Sequence, residues 1–231
     1  MNSHTRKEKR GFFDLFSGRS MVLLIIIVST IFSILGFFSF RFDKWVEYLA
    51  LKPSNFLEGK YLWTLLTHMF VHGGIFHLFV NMFVLFSIGG LCEKIIGRKR
   101  FLWFYILSGL FAGLLSVLAA GFLGEGFLQK IVGTSDVYMV GASGAIFALA
   151  GLFVVILPNI RFSIIFLPFF SLPGYLMVPL VLLLTWVVSF FAGLNIGNVA
   201  HFGGFLAGIT YGFYLRIKYK RKIQILQRYF R

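Results

Sequence analysis

Six runs of apolar residues, at positions 20–40, 73–92, 101–122, 143–157, 173–192 and 196–215, constrain this chain more than any other feature. A helix needs about 20 apolar residues to cross the hydrocarbon core of a bilayer, where each backbone polar group must be satisfied within the protein. The fourth run is short by that standard. The stretch 162–172 is apolar too, but Pro168 and Pro173 break it, so it reads as a connection or a lead-in to the fifth run. The expected fold class is an all-α membrane protein with six transmembrane helices. Composition agrees: 58% of residues are hydrophobic and 13% charged, against about 45–50% apolar and about 25% charged in soluble domains. This excludes disorder and an ordinary water-soluble enzyme. The single cysteine, Cys92, excludes an intramolecular disulfide framework and a Cys-rich zinc site.

The net charge is +14, from 22 basic and 8 acidic residues. In a soluble protein that excess would point to nucleic acid. Here 17 basic residues lie before the first run, between the second and third, after the fourth and in the tail, and five lie in the other three connections. Positive charge marks the cytoplasmic side of a membrane, so both termini are expected there. The excess then needs no nucleic-acid partner, although the basic tail can meet anionic lipid. The chain divides into a basic segment 1–19, a membrane domain 20–215 and a basic tail 216–231. The basic start and first apolar run resemble a signal peptide, but the run is too long and no A-x-A-like site follows, so it reads as a retained span. The first outer connection, 41–67, carries Trp45, Tyr48, Phe56, Tyr61 and Trp63, which suits a segment at the membrane interface.

Polar groups inside apolar spans are costly and tend to be functional. The second run holds His77 and Asn81, the fourth opens with Gly141-Ala142-Ser143-Gly144, and the sixth holds His201. Helical rise places Ser143 and His201 each ~22 Å above the cytoplasmic side, Asn81 ~20 Å and His77 ~26 Å. Four polar side chains from three spans thus share the outer third of a core ~30 Å thick. Gly204, Gly208 and Gly212 form a smooth seam on the sixth run, on the face that carries His201. Gly144, Ala145, Ala148 and Gly151 face the fourth run's neighbours with equally small groups. Such faces let membrane helices pack backbone to backbone, so that a Ser on one and a His on the other can share a hydrogen bond.

A serine hydroxyl is a poor nucleophile until a base takes its proton, and His201 is the available base. A tetrahedral intermediate needs donors at its oxyanion. The free N–H groups at the start of the fourth helix, the Asn81 amide and the His77 ring are candidates. No carboxylate in the spans orients His201, so the expectation is a dyad. The residue types leave plainer readings open. A Ser near a helix start is often a cap, an intramembrane His often an interhelical hydrogen-bond partner, and small-residue seams specify no chemistry. His68 and His72 stand at i, i+4, but with no nearby Asp, Glu or Cys they make no convincing metal site, and no metal or cofactor is expected. Glu93, ending the second run beside basic residues, reads as a cap or anchor for it.

Together these segments resemble the rhomboid family of intramembrane serine proteases. His72, followed by His77 and Asn81, is similar to the family's H-x4-H-x3-N pattern; Gly141-Ala142-Ser143-Gly144 to its G-x-S-G motif; Ala200-His201 with Gly204 and Gly208 to its A-H-x2-G-x3-G sixth helix; and Gly89, Glu93 and Gly97 to the close of its second helix. The resemblance implies a six-helix core that cuts transmembrane segments of other proteins, with single-span membrane proteins as substrates and the lipid bilayer as its setting. It implies Ser143 as nucleophile and His201 as base, with His77, Asn81 and the Ser143 N–H as oxyanion hole. Phe147 occupies the place of an aromatic that stacks on the catalytic His; many members have Tyr there. Trp63-Thr64 departs from a frequent Trp-Arg pair in the first loop. A catalytically inactive, client-binding relative is one alternative. A transporter is another, but it would want intramembrane charges, and the spans lack Asp and Lys. Water access at the outer third implies a site opening to the extracytoplasmic side, most simply of a cell membrane. The fifth run, with Trp186, Phe190 and Phe191, and the loop 193–198 then form the expected lateral gate.

Overall fold

Ser20 begins the first helix, α1 (Met21–Phe37), and its Oγ accepts a bond from the Leu23 N–H at 3.3 Å. A helix start leaves backbone donors unpaired, which hydrocarbon punishes. Glu93 supplies the missing acceptors. Its Oε1 takes the Met21 N–H at 3.0 Å, and its Oε2 takes the Val22 N–H at 3.1 Å and the Ser20 hydroxyl at 2.7 Å. Arg98 stands 3.8 Å from the same carboxylate. Glu93 is therefore a cap, but for the start of the first span and not for its own helix. The computed structural model describes residues 20–39, 42–164, 167–193 and 196–230. The expected basic segment 1–19, Arg41 and Arg231 lie outside the described residues, as do positions 165–166 of the apolar connection and 194–195 of the expected gate loop.

The first connection is helical rather than a simple loop. It holds α2 (Phe42–Leu49), α3 (Pro53–Leu57), α4 (Thr64–Thr67) and a short 3-10 turn, His68–Phe70. Its aromatics make a cluster, Tyr48 edge-on to Tyr61 at 5.3 Å and Tyr61 to Trp63 at 5.5 Å. Trp63 Nε1 donates to the Tyr48 carbonyl and Thr67 Oγ1 to that of Leu49, both at 2.8 Å. These bonds tie α4 back onto α2 at the Trp63-Thr64 position, without an arginine.

The second span is one rod in three parts: α5 (Ile75–Val84), a π-helical turn (Leu85–Gly89) and α6 (Gly90–Ile96). It is followed by α7 (Arg98–Leu123), α8 (Gln129–Val132), α9 (Ser143–Ile156), α10 (Gly174–Ala192), α11 (Asn198–Lys218) and α12 (Lys220–Tyr229). Among the described residues, Ile75–Ile96, Arg98–Leu123 and Gly174–Ala192 are long and apolar enough to cross a membrane. Met21–Phe37 and Ser143–Ile156 are shorter apolar helices. The protein is thus a mostly helical membrane protein, with one departure from the all-α expectation. The proline-broken stretch 162–172 is an antiparallel hairpin, β1 (Arg161–Ile164) with β2 (Leu167–Pro173), in which Arg161 pairs with Pro173 and Phe162 with Leu172. Prolines that exclude a helix are tolerated on an edge strand.

Helices α9 and α11 make the most extensive helix pair. A Cβ on Gly204 would collide with the Gly144 carbonyl, and one on Gly208 with that of Ala148; one on Gly212 would lie 2.8 Å from Val155 Cβ. The seam read from the sequence is thus a backbone-to-backbone contact. Around it, Leu149, Leu152, Phe153, Tyr105 and Phe101 are fully buried. The tail is part of this packing: α11 runs on to Lys218, Ile223 of α12 is buried, and Gln227 Nε2 donates to the Ile156 carbonyl at the end of α9 at 3.0 Å.

Candidate active site

The loop before α9 is strapped from three sides. Leu51 and Met139 exchange N–H···O bonds of 3.0 and 2.8 Å, and the Gly141 N–H donates to the His68 carbonyl at 2.8 Å. His72 supplies the third strap. Its Nδ1 meets Ser33 Oγ at 3.0 Å, Ser33 Oγ donates to the Phe70 carbonyl at 3.4 Å, and the Ala142 N–H points to His72 Nε2 at 3.5 Å. One tautomer satisfies all three contacts: the Nδ1–H donates to Ser33, and the bare Nε2 accepts from Ala142. Gly141 has φ +116°, a conformation L side chains rarely adopt, and its missing Cβ would lie 2.8 Å from the His77 ring. His77 and His72 meet edge to face at 5.2 Å.

This frame delivers Ser143 as the first residue of α9. The first ladder bond runs from the Ile146 N–H to the Ala142 carbonyl, so the Ser143 N–H precedes the ladder. Across the glycine seam, Ser143 Oγ lies 2.8 Å from His201 Nε2. Ser143 is half-buried and His201 is 8% exposed. The Phe147 ring stacks on the His201 imidazole, centroids 4.5 Å apart and planes 29° from parallel. It fixes the ring plane through its π-face alone, with no hydroxyl involved. The hydroxyl is thus hydrogen-bonded to an imidazole nitrogen that can take its proton.

The other expected site residues sit as follows. His77 is beside Gly141, two residues from Ser143. Asn81 is buried one turn further along α5, and its amide donates to the His77 carbonyl at 2.9 Å rather than to anything on α9. His68, buried above Gly113, has its Nδ1 3.0 Å from the Thr64 carbonyl, apart from the site. Among the described residues, no group of three or more His, Cys, Asp or Glu side chains converges as metal ligands would. Outside the span helices, Lys52 hydrogen-bonds Asp136 at 3.0 Å and Ser54 adds a second bond, so the Asp136 carboxyl titrates below its ordinary range and stays ionised at neutral pH. This clip joins the first connection to the loop that leads to Ser143.

Two contributors were not singled out from the sequence. Ser33 belongs to a span with no motif, and only its contact with His72 reveals it. Asn198 stands one turn before His201 at the start of α11, is 5% exposed, and lay inside a segment read as a gate loop.

Residues 59–218 match the model of the rhomboid domain. The chain is 32% identical over 171 residues to RHOMBOID-like protein 4 of Arabidopsis thaliana, covering 73% of this chain and 38% of that protein. It is 30% identical over 207 residues to RHOMBOID-like protein 5 of the same plant, covering 81% and 58%. With the Rhomboid protease GlpG of Haemophilus influenzae it shares 25% identity over 172 residues, covering 74% of this chain and 79% of that protein. The chain thus spans less than two thirds of the length of these plant relatives.

Proposed function

Because the chain belongs to the rhomboid family, we propose that it is an intramembrane serine endopeptidase that hydrolyses peptide bonds in or near transmembrane segments of single-span membrane proteins. The observation that carries this reading is the 2.8 Å contact between Ser143 Oγ and His201 Nε2, with Phe147 stacked on the base. In this reading the protein has six spans with both termini in the cytoplasm, a membrane domain over 20–215 and a basic tail, in a cell membrane.

Ser143 Oγ attacks the scissile carbonyl carbon as its proton passes to His201 Nε2. The C–O bond forms, and the carbonyl π pair moves onto oxygen. The Ser143 N–H, the His77 ring and, after its side chain turns from the His77 carbonyl, the Asn81 amide face that oxyanion. The tetrahedral centre collapses, the C–N bond breaks, and His201 gives its proton to the leaving amine. Water then repeats the sequence on the acyl-enzyme, and the proton returns to Ser143. The apolar body of α9 closes the inner side, so water reaches the site from the extracytoplasmic face and the substrate enters sideways. Helix α10 supports that route. It is the least buried of the three long apolar segments, 17% against 39% for the other two. Its buried residues, Gly174, Met177, Val178 and Leu182, all precede its second half, and Pro179 removes one ladder bond between them.

The test is cleavage of a panel of single-span proteins by the purified protein in lipid. Ser143→Ala or His201→Ala should each abolish most cleavage without unfolding, and the double variant should be little worse than either, because the pair acts as a unit. A fluorophosphonate probe should label Ser143 in the parent. Substantial activity in both single variants would sink the assignment, and an inert parent that binds its clients would make the protein an inactive relative.

A further inference from the structure

His201 uses Nε2 toward Ser143, and its other ring nitrogen, Nδ1, is buried without a hydrogen-bond partner among the described residues. A base that receives a proton at Nε2 must carry its own proton on Nδ1. A buried N–H donor left unpaired loses its hydration without replacement, which is destabilising. The neutral ring also has a second tautomer, with the proton on Nε2, which cannot act as base toward Ser143. Something must therefore hold the proton on Nδ1. The Ser143 hydroxyl on α9 is engaged with Nε2, and Phe147 presents only a ring face.

One acceptor near by is in the same condition. Asn198, on the same helix three residues earlier, is 5% exposed, and among the described residues its buried Oδ1 has no partner. Residues at i and i+3 share a helix face with Cβ atoms about 5–6 Å apart, a gap that an amide oxygen and an imidazole N–H bridge. Donor and acceptor are complementary, both orphaned, and one turn apart. Resting on the reading of Ser143 and His201 as nucleophile and base, we propose that Asn198 is a positioning residue, its Oδ1 accepting the His201 Nδ1–H to make the expected dyad a Ser-His-Asn array. It touches neither substrate nor Ser143. It selects the tautomer with a bare Nε2, and once His201 is doubly protonated it accepts the more acidic Nδ1–H of the imidazolium. Asparagine fulfils this in an apolar surrounding without a buried carboxylate, whose desolvation would be severe.

The experiment has two readouts. In the resting parent protein, 15N spectra of labelled histidine should show His201 as a single Nδ1–H tautomer, a measurement that needs no cleavage. Asn198→Leu keeps the volume and removes the acceptor; it should mix the tautomers and lower kcat about 10-fold, as expected for one lost hydrogen bond, with KM within about twofold. Fluorophosphonate labelling of Ser143 should slow by a similar factor. Asn198→Asp keeps an acceptor and should restore the tautomer and most of kcat. A parent His201 that is Nε2–H or mixed overturns the proposal even if Asn198→Leu fails to fold. So does a Leu variant with parental kcat, or an Asp variant that loses activity as completely as Leu. A parent that neither cleaves nor labels, yet shows a single Nδ1–H tautomer, would instead defeat the protease reading and leave the positioning contact standing.

Discussion

Residue by residue, the site divides into groups poised and groups otherwise engaged. Ser143 and His201 already share a hydrogen bond, whereas the Asn81 amide is bonded to the His77 carbonyl in its own helix. On the proposed mechanism Asn81 must exchange that bond for the oxyanion, so its gain is smaller than that of a free donor. Asn81→Ala should therefore lower kcat toward the small end of the ~10²–10³ range for one oxyanion donor, with KM nearly unchanged. Steady-state kinetics on a membrane substrate decides this, and a raised KM with parental kcat would assign Asn81 to docking. The pairing of Ser143 with His201 was legible in the sequence because their depths, counted from the inner ends of two helices, coincide. Asn198 was not, since an Asn at a helix start reads as ordinary turn chemistry until its burial is known.

Elements carry two different kinds of contact. At Gly204 and Gly208, α11 meets the backbone of α9 directly, so the separation of Ser143 and His201 is set there by backbone against backbone. Gly208→Leu runs into the backbone of α9, at the Ala148 carbonyl and the Leu152 nitrogen. It should push α11 outward, and a displacement of ~1 Å can cost ~10²-fold in rate. Loss of activity together with a lower unfolding temperature in detergent is the expected pair of results. Helix α10 is held more loosely in its second half. Trp186 lies against Phe202 at 5.9 Å, and Phe190 against Phe127 at 6.1 Å. Phe191, read as a sealing group, is 82% exposed and touches Phe190, so the seal rests on the other two. Trp186→Ala should raise cleavage of a membrane substrate where gating limits the rate, and leave cleavage of a short soluble peptide unchanged. Equal effects on both substrates would remove α10 from the entry route. The helices themselves were readable from apolar run length. The hairpin at 161–173 was not, because a continuous apolar run with prolines has neither helical nor alternating periodicity.

At the scale of the whole molecule, Glu93 of α6 ties the second helical rod to the first: its carboxylate gathers three donors from the start of α1. Glu93→Ala strands those donors and should cost roughly 2–4 kcal/mol, measured by unfolding in mixed detergent. Glu93→Gln keeps an acceptor and should lose less. No sequence pattern links positions 22 and 93, so the acid was legible only as a local cap. The tie also imposes an order on biogenesis. Val22 emerges from the ribosome 71 residues before Glu93, which at typical elongation rates is about 4–14 s. Throughout that interval the first span has no acidic lid and must borrow one from water, headgroups or the insertion machinery. The nascent chain acquires its own lid only when the second span is complete. Chains truncated before residue 93 should accordingly expose the Met21 and Val22 amides to rapid hydrogen exchange, and chains long enough to free Glu93 from the ribosome should protect them.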